Sequence, residues 1–348
     1  MPNTDTQVYT TAEWPIPRDS FNFYYGARLT LDTMAGQYQT QVTYTAIGEN
    51  VPAPVPTTMQ EMATSSYCAT IPVPAYTTTD WSSYTLTLTD TRDNQNYRVR
   101  KLPDGKCWMI DNLKLGNTGT DLTLTPADSD VTTSFILPAN AMTTANERIT
   151  NGRCDSGVAS GAGGYLTCNG TTTQNSTNSS FAAYTDPNAL AACQTTHSGI
   201  DSQSTTACGY LYNWYTATAG SGTYDVSTNG TNATDSICPV GWRLPKAGTG
   251  IADANNDFAI LNGAMQNGGG PSMDWSYFTN WQPTGSFSGS YSGSWWSGFN
   301  YQGSEGFYWS SSVNSAAYAR YLVFYSGRVY PGSYGDYKFY GFAVRCVL

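Results

Sequence analysis

The residues best suited to chemistry in this 348-residue chain are its eight cysteines and its single histidine, His197. No two cysteines have the C-x-x-C spacing; they are Cys68, Cys107, Cys154, Cys168, Cys193, Cys208, Cys238 and Cys346. Structural zinc sites usually take close pairs of ligands, so this spacing argues against zinc. An even number of cysteines in a chain poor in lysine favours disulfides and an oxidising compartment. Buried free thiols in a cytosolic protein are the alternative.

Two cysteine pairs lie close enough in sequence to form local disulfides, Cys154 with Cys168 and Cys193 with Cys208. In the chain-entropy model, closing a loop of roughly 15 residues stabilises the fold by about 3 kcal/mol. Eight cysteines allow many connectivities, and spacing alone does not choose among them.

Candidate catalytic groups are sparse, because no acid–base constellation accompanies the single histidine. The segments "CWMIDNL" and "GWRLP" fit a core better than an active site. We predict that Trp108, Met109, Trp242 and Leu244 are buried, and that Asp111, Arg243 and Arg345 form a buried polar network. The sequence therefore predicts a protein that is not an enzyme.

The overall composition favours β-structure and loops. Hydrophobic residues make up 40% of the chain, enough for a core, whereas charged residues make up only 12%, about half the usual share. The formal net charge of −9 argues against nucleic-acid binding. No apolar run is long enough to span a membrane. The opening "MPNTDTQVYT" reads as the interior of a longer protein that carries any targeting signal elsewhere.

The chain divides by pattern into two regions. Residues 1–56 contain alternating stretches around a "MAGQY" turn, which predict the closing hairpin of a β-sandwich of the Ig-like type, and end in a Pro-rich linker. Residues 57–348 form the main domain. Within it, residues 117–206 are rich in Thr, Ser, Asn and Gly and predict a loop-rich insertion.

Strands and two helices are expected in the main domain. "YTLTLTD", "NYRVRKL" and "CWMIDNLKL" predict a meander, and "ICPVGWRLPKAG", "GFYWSSS", "ARYLVFYS" and "GFAVRCVL" predict further strands. "CGYLYNWYTATAG" predicts a short helix. "NNDFAILNGAMQNGGG" predicts the clearest helix, capped by Asn256 or Asp257 and ended by the glycines Gly268 to Gly270.

Four motifs occur in one order, "GKCWMIDNLKLG", "CPVGWRLPKAG", "GFYWSSS" and "GFAVRCVL". With them, residues 58–348 resemble the Fibrobacter succinogenes major paralogous domain, a branch of the C-type-lectin-like fold in bacterial surface proteins. The resemblance implies an α+β domain of antiparallel strands with two short helices, displayed at the cell surface. Flanking these strands, Cys238 would pair with Cys346, and Cys68 with Cys107.

The C-terminus is also similar to the variable proteins of diversity-generating retroelements, in which exposed side chains are diversified on a fixed scaffold. The resemblance implies that scaffold residues such as Leu322, Phe324, Val329 and Phe342 alternate with variable ones. In "YLVFY", Leu322 and Phe324 would face the core while the alternate residues face a ligand. The variable positions would be Tyr318, Arg320, Tyr321, Val323, Tyr325, Gly327, Arg328, Tyr330, Gly332, Tyr334, Gly335, Asp336, Tyr337, Phe339 and Tyr340.

Residues 287–340 have the composition of a paratope, since Tyr and Trp provide rigid contact area while Ser and Gly adapt. Trp295, Trp296, Phe299 and Tyr301 extend the proposed surface. The alternative is an ordinary set of β-domain aromatics with loop glycines. A protein or cell-surface partner is the ligand expected from the resemblance.

Calcium-dependent sugar binding is not expected, because "WQPTG" at 281–285 lacks the acid of the lectin motif and no Trp-Asn-Asp follows. No cofactor is predicted. A structural calcium in "DTRDNQ" or "TDLTLTPADSD" stays open. Two functional alternatives also stay open: an adhesin of fixed specificity, and an oxidative enzyme like the formylglycine-generating enzymes of this fold, which would need a reactive cysteine pair.

Overall fold

The computed structural model describes residues 54–116, 120–137, 181–182, 191–193, 208–222, 226–250, 252, 254–296 and 299–348. Contacts group Pro56–Leu348 as one unit, separate from Met1–Val55, and the fold below is that of Pro56–Leu348. The predicted hairpin in residues 1–56, most of the insertion 117–206, and Cys154 with Cys168 lie outside the described residues. None of the described helices has the length and apolar character to cross a membrane.

The unit begins with short helices. Helix α1 (Met59–Thr64) starts with a capping box, in which Thr58 accepts from the backbone N–H of Glu61 and the Glu61 side chain accepts in return. Helix α2 (Tyr67–Thr70) and a 3-10 helix (Ser82–Tyr84) follow.

The first sheet is the predicted antiparallel meander. Strands β1 (Thr85–Thr89), β2 (Asn96–Lys101) and β3 (Cys107–Met109) pair in the order β1-β2-β3. The expected turns join them, with Asn94 at a φ of 58° and Gly105 at 81°, values that Asn and Gly tolerate best.

Short paired strands and the two predicted helices fill the middle of the unit. The strands are β4 (Leu122–Leu124) with β5 (Phe135–Leu137), and β6 (Phe181–Ala182) with β7 (Leu211–Tyr212). Helix α3 (Trp214–Ala217) is capped by Asn213, and α4 (Asp257–Asn267) by Asn256. Gly268 ends α4 in the left-handed conformation, as predicted. A 3-10 helix (Trp275–Asn280) and the pair β8 (Ser294–Trp295) with β9 (Phe299–Asn300) come next.

The second sheet is antiparallel in the order β10-β11-β12. It contains β10 (Glu305–Val313), β11 (Tyr318–Tyr325) and β12 (Arg328–Tyr337). The first two strands were predicted, whereas β12 was expected only as an exposed segment. The register of β12 against β11 shifts between Tyr321 and Leu322, where Gly332 has a φ of 80°. This bulge lets an edge strand containing Pro331 continue along β11.

Two predicted strands are wrong. "ICPVGWRLPKAG" forms turns and isolated bridges, because Pro239, Pro245 and Gly241 at a φ of 79° interrupt extended pairing. The C-terminal "GFAVRCVL" is not one continuous strand either. Its bridges go to separate places, including Gly341 to Trp295, Phe342 to Tyr212 and Val347 to Arg243. The segment thus joins several parts of the unit and does not extend one sheet.

Hydrophobic clusters lie on both sides of β11. Tyr321 and Val323 belong to one cluster, which also contains Phe342 and Trp242, while Leu322 and Phe324 belong to the other. The predicted core positions Trp108, Met109, Trp242 and Leu244 are all buried, which confirms that prediction. The described part of the unit is therefore an α+β fold of mostly antiparallel strands with a buried central strand.

Three disulfides connect the described residues, and each was predicted. They are Cys68–Cys107, Cys193–Cys208 and Cys238–Cys346. The last one ties the buried C-terminal segment to the turn before Trp242.

The predicted polar network of Asp111, Arg243 and Arg345 is wrong, because no hydrogen bond joins the three. Asp111 pairs with Arg98 at 2.6 Å. Arg243 pairs with Asp257, also at 2.6 Å. Arg345 donates to Asn112 and to the carbonyls of Phe287 and Ser288. Each of the three charges is satisfied by its own neighbours, and Arg243 is only half-buried.

Candidate ligand-binding surface

One face of the second sheet collects aromatic side chains from three strands. The register places Phe307 beside Val323, and Val323 beside Tyr330. The same register places Trp309 opposite Tyr321, and Tyr321 opposite Tyr334. Side chains directly opposite in a ladder lie on the same side of the sheet, so this face continues from β10 across β11 to β12.

Exposure rises across that face toward the edge strand. Tyr321 on β11 is 8% exposed, whereas Tyr334, directly opposite on β12, is 47% exposed. The reason is position: β11 has a neighbour on each side, while β12 is the edge of the three-stranded sheet. The same face of the sheet is therefore buried at β11 and exposed at β12, the neighbouring strand. The exposed and half-buried side chains at this edge, with those that contact them, form what we call the aromatic surface. Its residues are Trp275, Trp296, Tyr318, Tyr325, Arg328, Tyr330, Tyr334, Asp336, Tyr337 and Tyr340.

At the turn between β11 and β12, the aromatic surface contains three linked tyrosines and an arginine. The ring centroids of Tyr325 and Tyr330 are 6.1 Å apart, and those of Tyr330 and Tyr334 are 4.7 Å apart. Arg328 donates from Nη1 to the Tyr330 hydroxyl at 2.9 Å. This hydrogen bond lowers the pKa of Tyr330. The Arg328 guanidinium also lies over the ring of Trp275 at 5.1 Å.

At the other end of β12, a second group of rings forms. Tyr318 and Tyr337 are opposite each other with centroids 4.6 Å apart, and a hydrogen bond to Tyr337 raises the pKa of Tyr318 to about 12. Tyr337 contacts Tyr340 at 5.5 Å, and Tyr340 contacts the exposed Trp296 at 5.9 Å.

On β12, Asp336 follows Tyr334 by two residues and immediately precedes Tyr337. It is half-buried on β12 and directly opposite the small side chain of Ala319. Burial raises the pKa of its carboxyl to about 6. The charge of Asp336 in turn contributes to the raised pKa of Tyr318 and of the buried Tyr321, so both phenols lie within its electrostatic reach.

Five residues predicted as exposed binding positions are buried, namely Trp295, Arg320, Tyr321, Val323 and Phe339. For β11 the physical reason is that both of its faces are covered by hydrophobic clusters. Arg320 donates instead to Asn229 and to the carbonyl of Ser333. The prediction that β11 presents one face to a ligand is therefore wrong at Arg320, Tyr321 and Val323.

Two glycines predicted as variable also have fixed roles. A Cβ on Gly332 would lie 2.8 Å from the Cβ of Ala247, and its φ is 80°. A Cβ on Gly335 would lie 2.3 Å from the Asn314 amide nitrogen. Side chains at these positions would strain the bulge or displace a neighbour.

The remaining predicted residues lie at the surface or near it. Trp296, Tyr301 and Tyr334 are exposed large aromatics, and Arg328 is also exposed. Tyr301 contacts Phe307 at 6.1 Å, at the β10 side of the sheet. Half-buried positions are Phe299, Tyr318, Tyr325, Tyr330, Asp336, Tyr337 and Tyr340.

Two exposed aromatics of this region were missed by the sequence analysis. Trp275 is 51% exposed beneath Arg328, and Tyr277 in the same 3-10 helix is also exposed. They precede the predicted variable range of residues 287–340. The aromatic density of "MDWSYFTN" was the available signal.

Within the described residues, no group of three His, Cys, Asp or Glu side chains is arranged to hold a metal ion. In the "DTRDNQ" turn, the Asp90 carboxylate is paired with Arg92 at 2.6 Å, an arrangement that gives its charge a protein partner. Comparison with family models, with curated proteins and with solved structures found no match to this chain.

Proposed function

We propose that this chain is a surface-displayed ligand-binding protein on a C-type-lectin-like domain, and that the aromatic surface is a diversified binding site of the retroelement type. Its partner would be a protein or another cell-surface molecule. The observation that supports the proposal is the difference in exposure between two paired residues. Tyr321 is buried in the core, whereas Tyr334, its partner on the neighbouring strand, is exposed.

The composition of this edge fits recognition. Tyrosine and tryptophan are favoured in binding sites because they bring large contact areas at little cost in conformational entropy. Here such rings stand on hydrogen-bonded strands, and β11 is held between two hydrophobic clusters. A binding site on a rigid support can accept changed side chains without loss of the fold.

The test is the pattern of natural sequence variation at the 3′ end of the gene. We expect a nearby near-repeat that differs at adenines, and variation among isolates concentrated at codons of the aromatic surface, such as those of Tyr325, Arg328 and Tyr334. Codons of buried neighbours, such as Leu322 and Phe324, serve as matched controls and should be constant. Without a near-repeat or such variation, diversification is refuted and an adhesin of fixed specificity takes its place.

The oxidative-enzyme alternative would need a reactive cysteine. The six described cysteines are all paired in disulfides. Titration of thiols in the unreduced protein under anaerobic conditions completes the test for the whole chain, because two free thiols would revive this alternative.

A further inference from the structure

Asp336 is a carboxylate without a cationic partner in the described part of the chain. Its hydrogen bond there is to the backbone N–H of Tyr337, at 2.8 Å. The four ion pairs among the described residues use other acids, namely Asp90, Asp111 and, twice, Asp257. A half-buried carboxylate that keeps part of its solvation can gain from an incoming cation.

Tyrosines occupy the strand positions around this carboxylate. Tyr334 precedes it by two residues on the same face of β12, and Tyr321 lies opposite Tyr334. Tyr337, the next residue, alternates to the opposite face of the sheet, where its ring contacts that of Tyr318. The faces of tyrosine rings carry negative electrostatic potential and attract cations, so rings and carboxylate favour the same kind of ligand.

The opposite end of the aromatic surface already holds a cation in this way. The Arg328 guanidinium lies 5.1 Å from the Trp275 ring centroid and donates to the Tyr330 hydroxyl. Asp336 and its tyrosines offer a carboxylate as well as rings, and no guanidinium of the described residues is seated there. An arginine suits this place better than a lysine, because a guanidinium can stack on a ring while it donates two hydrogen bonds to a carboxylate.

We propose that the aromatic surface around Asp336 binds an arginine side chain of a partner protein. This inference rests on the proposed function of the aromatic surface as a ligand site and specifies its chemistry. The formal net charge of −9 is complementary to such a partner and would speed the encounter.

The experiment uses the full chain and two peptides, acetyl-Gly-Arg-Gly-amide and the same peptide with neutral citrulline in place of arginine. Saturation-transfer NMR titrations give both dissociation constants. We expect the arginine peptide to bind in the millimolar range and the citrulline peptide to bind at least about fivefold more weakly, since only the former has a charge to pair with the carboxylate.

Two matched variants locate the site. Asp336→Asn should weaken arginine-peptide binding at least about fivefold, because it removes the paired charge. Asp80→Asn changes the net charge by the same amount at an exposed position outside the aromatic surface, and the amide oxygen can still accept from the Ser82 N–H. It should change binding by less than about twofold. Near-ultraviolet circular dichroism checks that each variant is folded.

Three results would overturn the inference: no binding of the arginine peptide at about 20 mM, equal binding of both peptides, or equal weakening by both variants. None of these results bears on gene variation, so the proposed function would survive them. Conversely, arginine binding at Asp336 in a gene without a near-repeat would mean an arginine site of fixed specificity.

Discussion

At the scale of single residues, the pair Tyr321 and Tyr334 shows how one residue type takes two roles. The two are directly opposite each other between β11 and β12. Tyr321 contacts Phe307, Trp309 and Phe342 at ring distances of 5.0 to 6.2 Å. Tyr334 contacts Tyr330 and is 47% exposed to solvent. We therefore expect the buried ring of Tyr321 to contribute to the stability of the fold and the exposed ring of Tyr334 to contact a ligand.

Replacement of each tyrosine by alanine tests this assignment. Tyr321→Ala should lower the free energy of unfolding by about 3–5 kcal/mol, because it opens a cavity between packed rings. Tyr334→Ala should lower it by about 1 kcal/mol or less, because the ring lies at the edge of the sheet and its removal opens no enclosed cavity. Urea denaturation followed by circular dichroism measures both.

Phe342→Ala is the matched core control, with an expected loss like that of Tyr321→Ala, since Phe342 is 1% exposed. A loss for Tyr334→Ala as large as that for Phe342→Ala would mean that the edge ring is part of the core. The proposal that it faces a ligand would then be wrong.

At the scale of elements, β12 depends on support from outside its sheet. An edge strand with a proline and a bulge has fewer ladder hydrogen bonds than a central strand. Asn256, buried at the start of α4, donates from Nδ2 to the carbonyl of Pro331 at 3.0 Å. Its Oδ1 accepts from the N–H of Ala259, also at 3.0 Å. One side chain thus caps the helix and holds the bulge of β12.

Asn256→Ala should therefore lower the free energy of unfolding by about 2–3 kcal/mol, which combines a lost cap with a buried carbonyl left without its donor. Chemical denaturation provides the measurement. Asn267→Ala is the control, because the exposed Asn267 only accepts from the N–H of Gly269 near the other end of α4, and should cost about 0.5 kcal/mol or less. Equal losses for the two variants would argue against the bridging role.

At the scale of the whole molecule, several aspartates share a raised pKa. Burial raises the pKa of Asp93, Asp104, Asp130 and Asp336 to about 6 each. Repulsion from Asp90 adds to the effect at Asp93, and repulsion from Asp235 adds to it at Asp130. In the unfolded chain such carboxyls titrate near pH 4. Between pH 7 and pH 5 the folded protein therefore takes up protons that the unfolded chain does not.

Stability should consequently increase on acidification over this interval, since proton uptake by the folded state favours it. The stabilisation is present below about pH 4, where both states are protonated at these groups, and is lost as pH rises through about 6. We expect the melting temperature to rise by a few degrees from pH 7 to pH 5, as measured by scanning calorimetry.

Asp104→Asn gives the control for this pH dependence. An amide at this position cannot ionise, so the variant should show a smaller rise between pH 7 and pH 5 than the native chain. A melting temperature that is constant or falls on acidification would contradict the raised pKa values.

Local sequence signals located many elements correctly because their causes are local. Asn256 and Gly268 bound α4 at the expected positions, since cap and left-handed preferences act within a few residues. The meander β1-β2-β3 was found because alternation and turn residues are also short-range features. Short spacing suggested the Cys193–Cys208 disulfide, and hydrophobicity the burial of Trp108 and Trp242. The pairs Cys68–Cys107 and Cys238–Cys346 were hypotheses that accompanied the resemblance and the expected strands.

Long-range pairing explains the errors. The Gly-, Pro- and Ser-containing stretch of β12 has weak strand propensity and becomes a strand by pairing with β11. Conversely, "GFAVRCVL" has strong strand propensity, yet its partners are scattered over several segments. Trp275 entered the aromatic surface through its contact with Arg328, which is distant in sequence.

The sequence by itself determined that this is a disulfide-linked α+β unit with an aromatic-rich C-terminal region, because composition, cysteine positions and short-range periodicity are properties of the linear chain. Only the tertiary structure decided which of those aromatic rings are accessible. Alternation along β11 assigns its residues to two faces but does not say what covers each face. The packing of clusters on both sides buried Tyr321 and Val323, and the free edge of β12 left Tyr334 and Asp336 at the surface that a partner would meet.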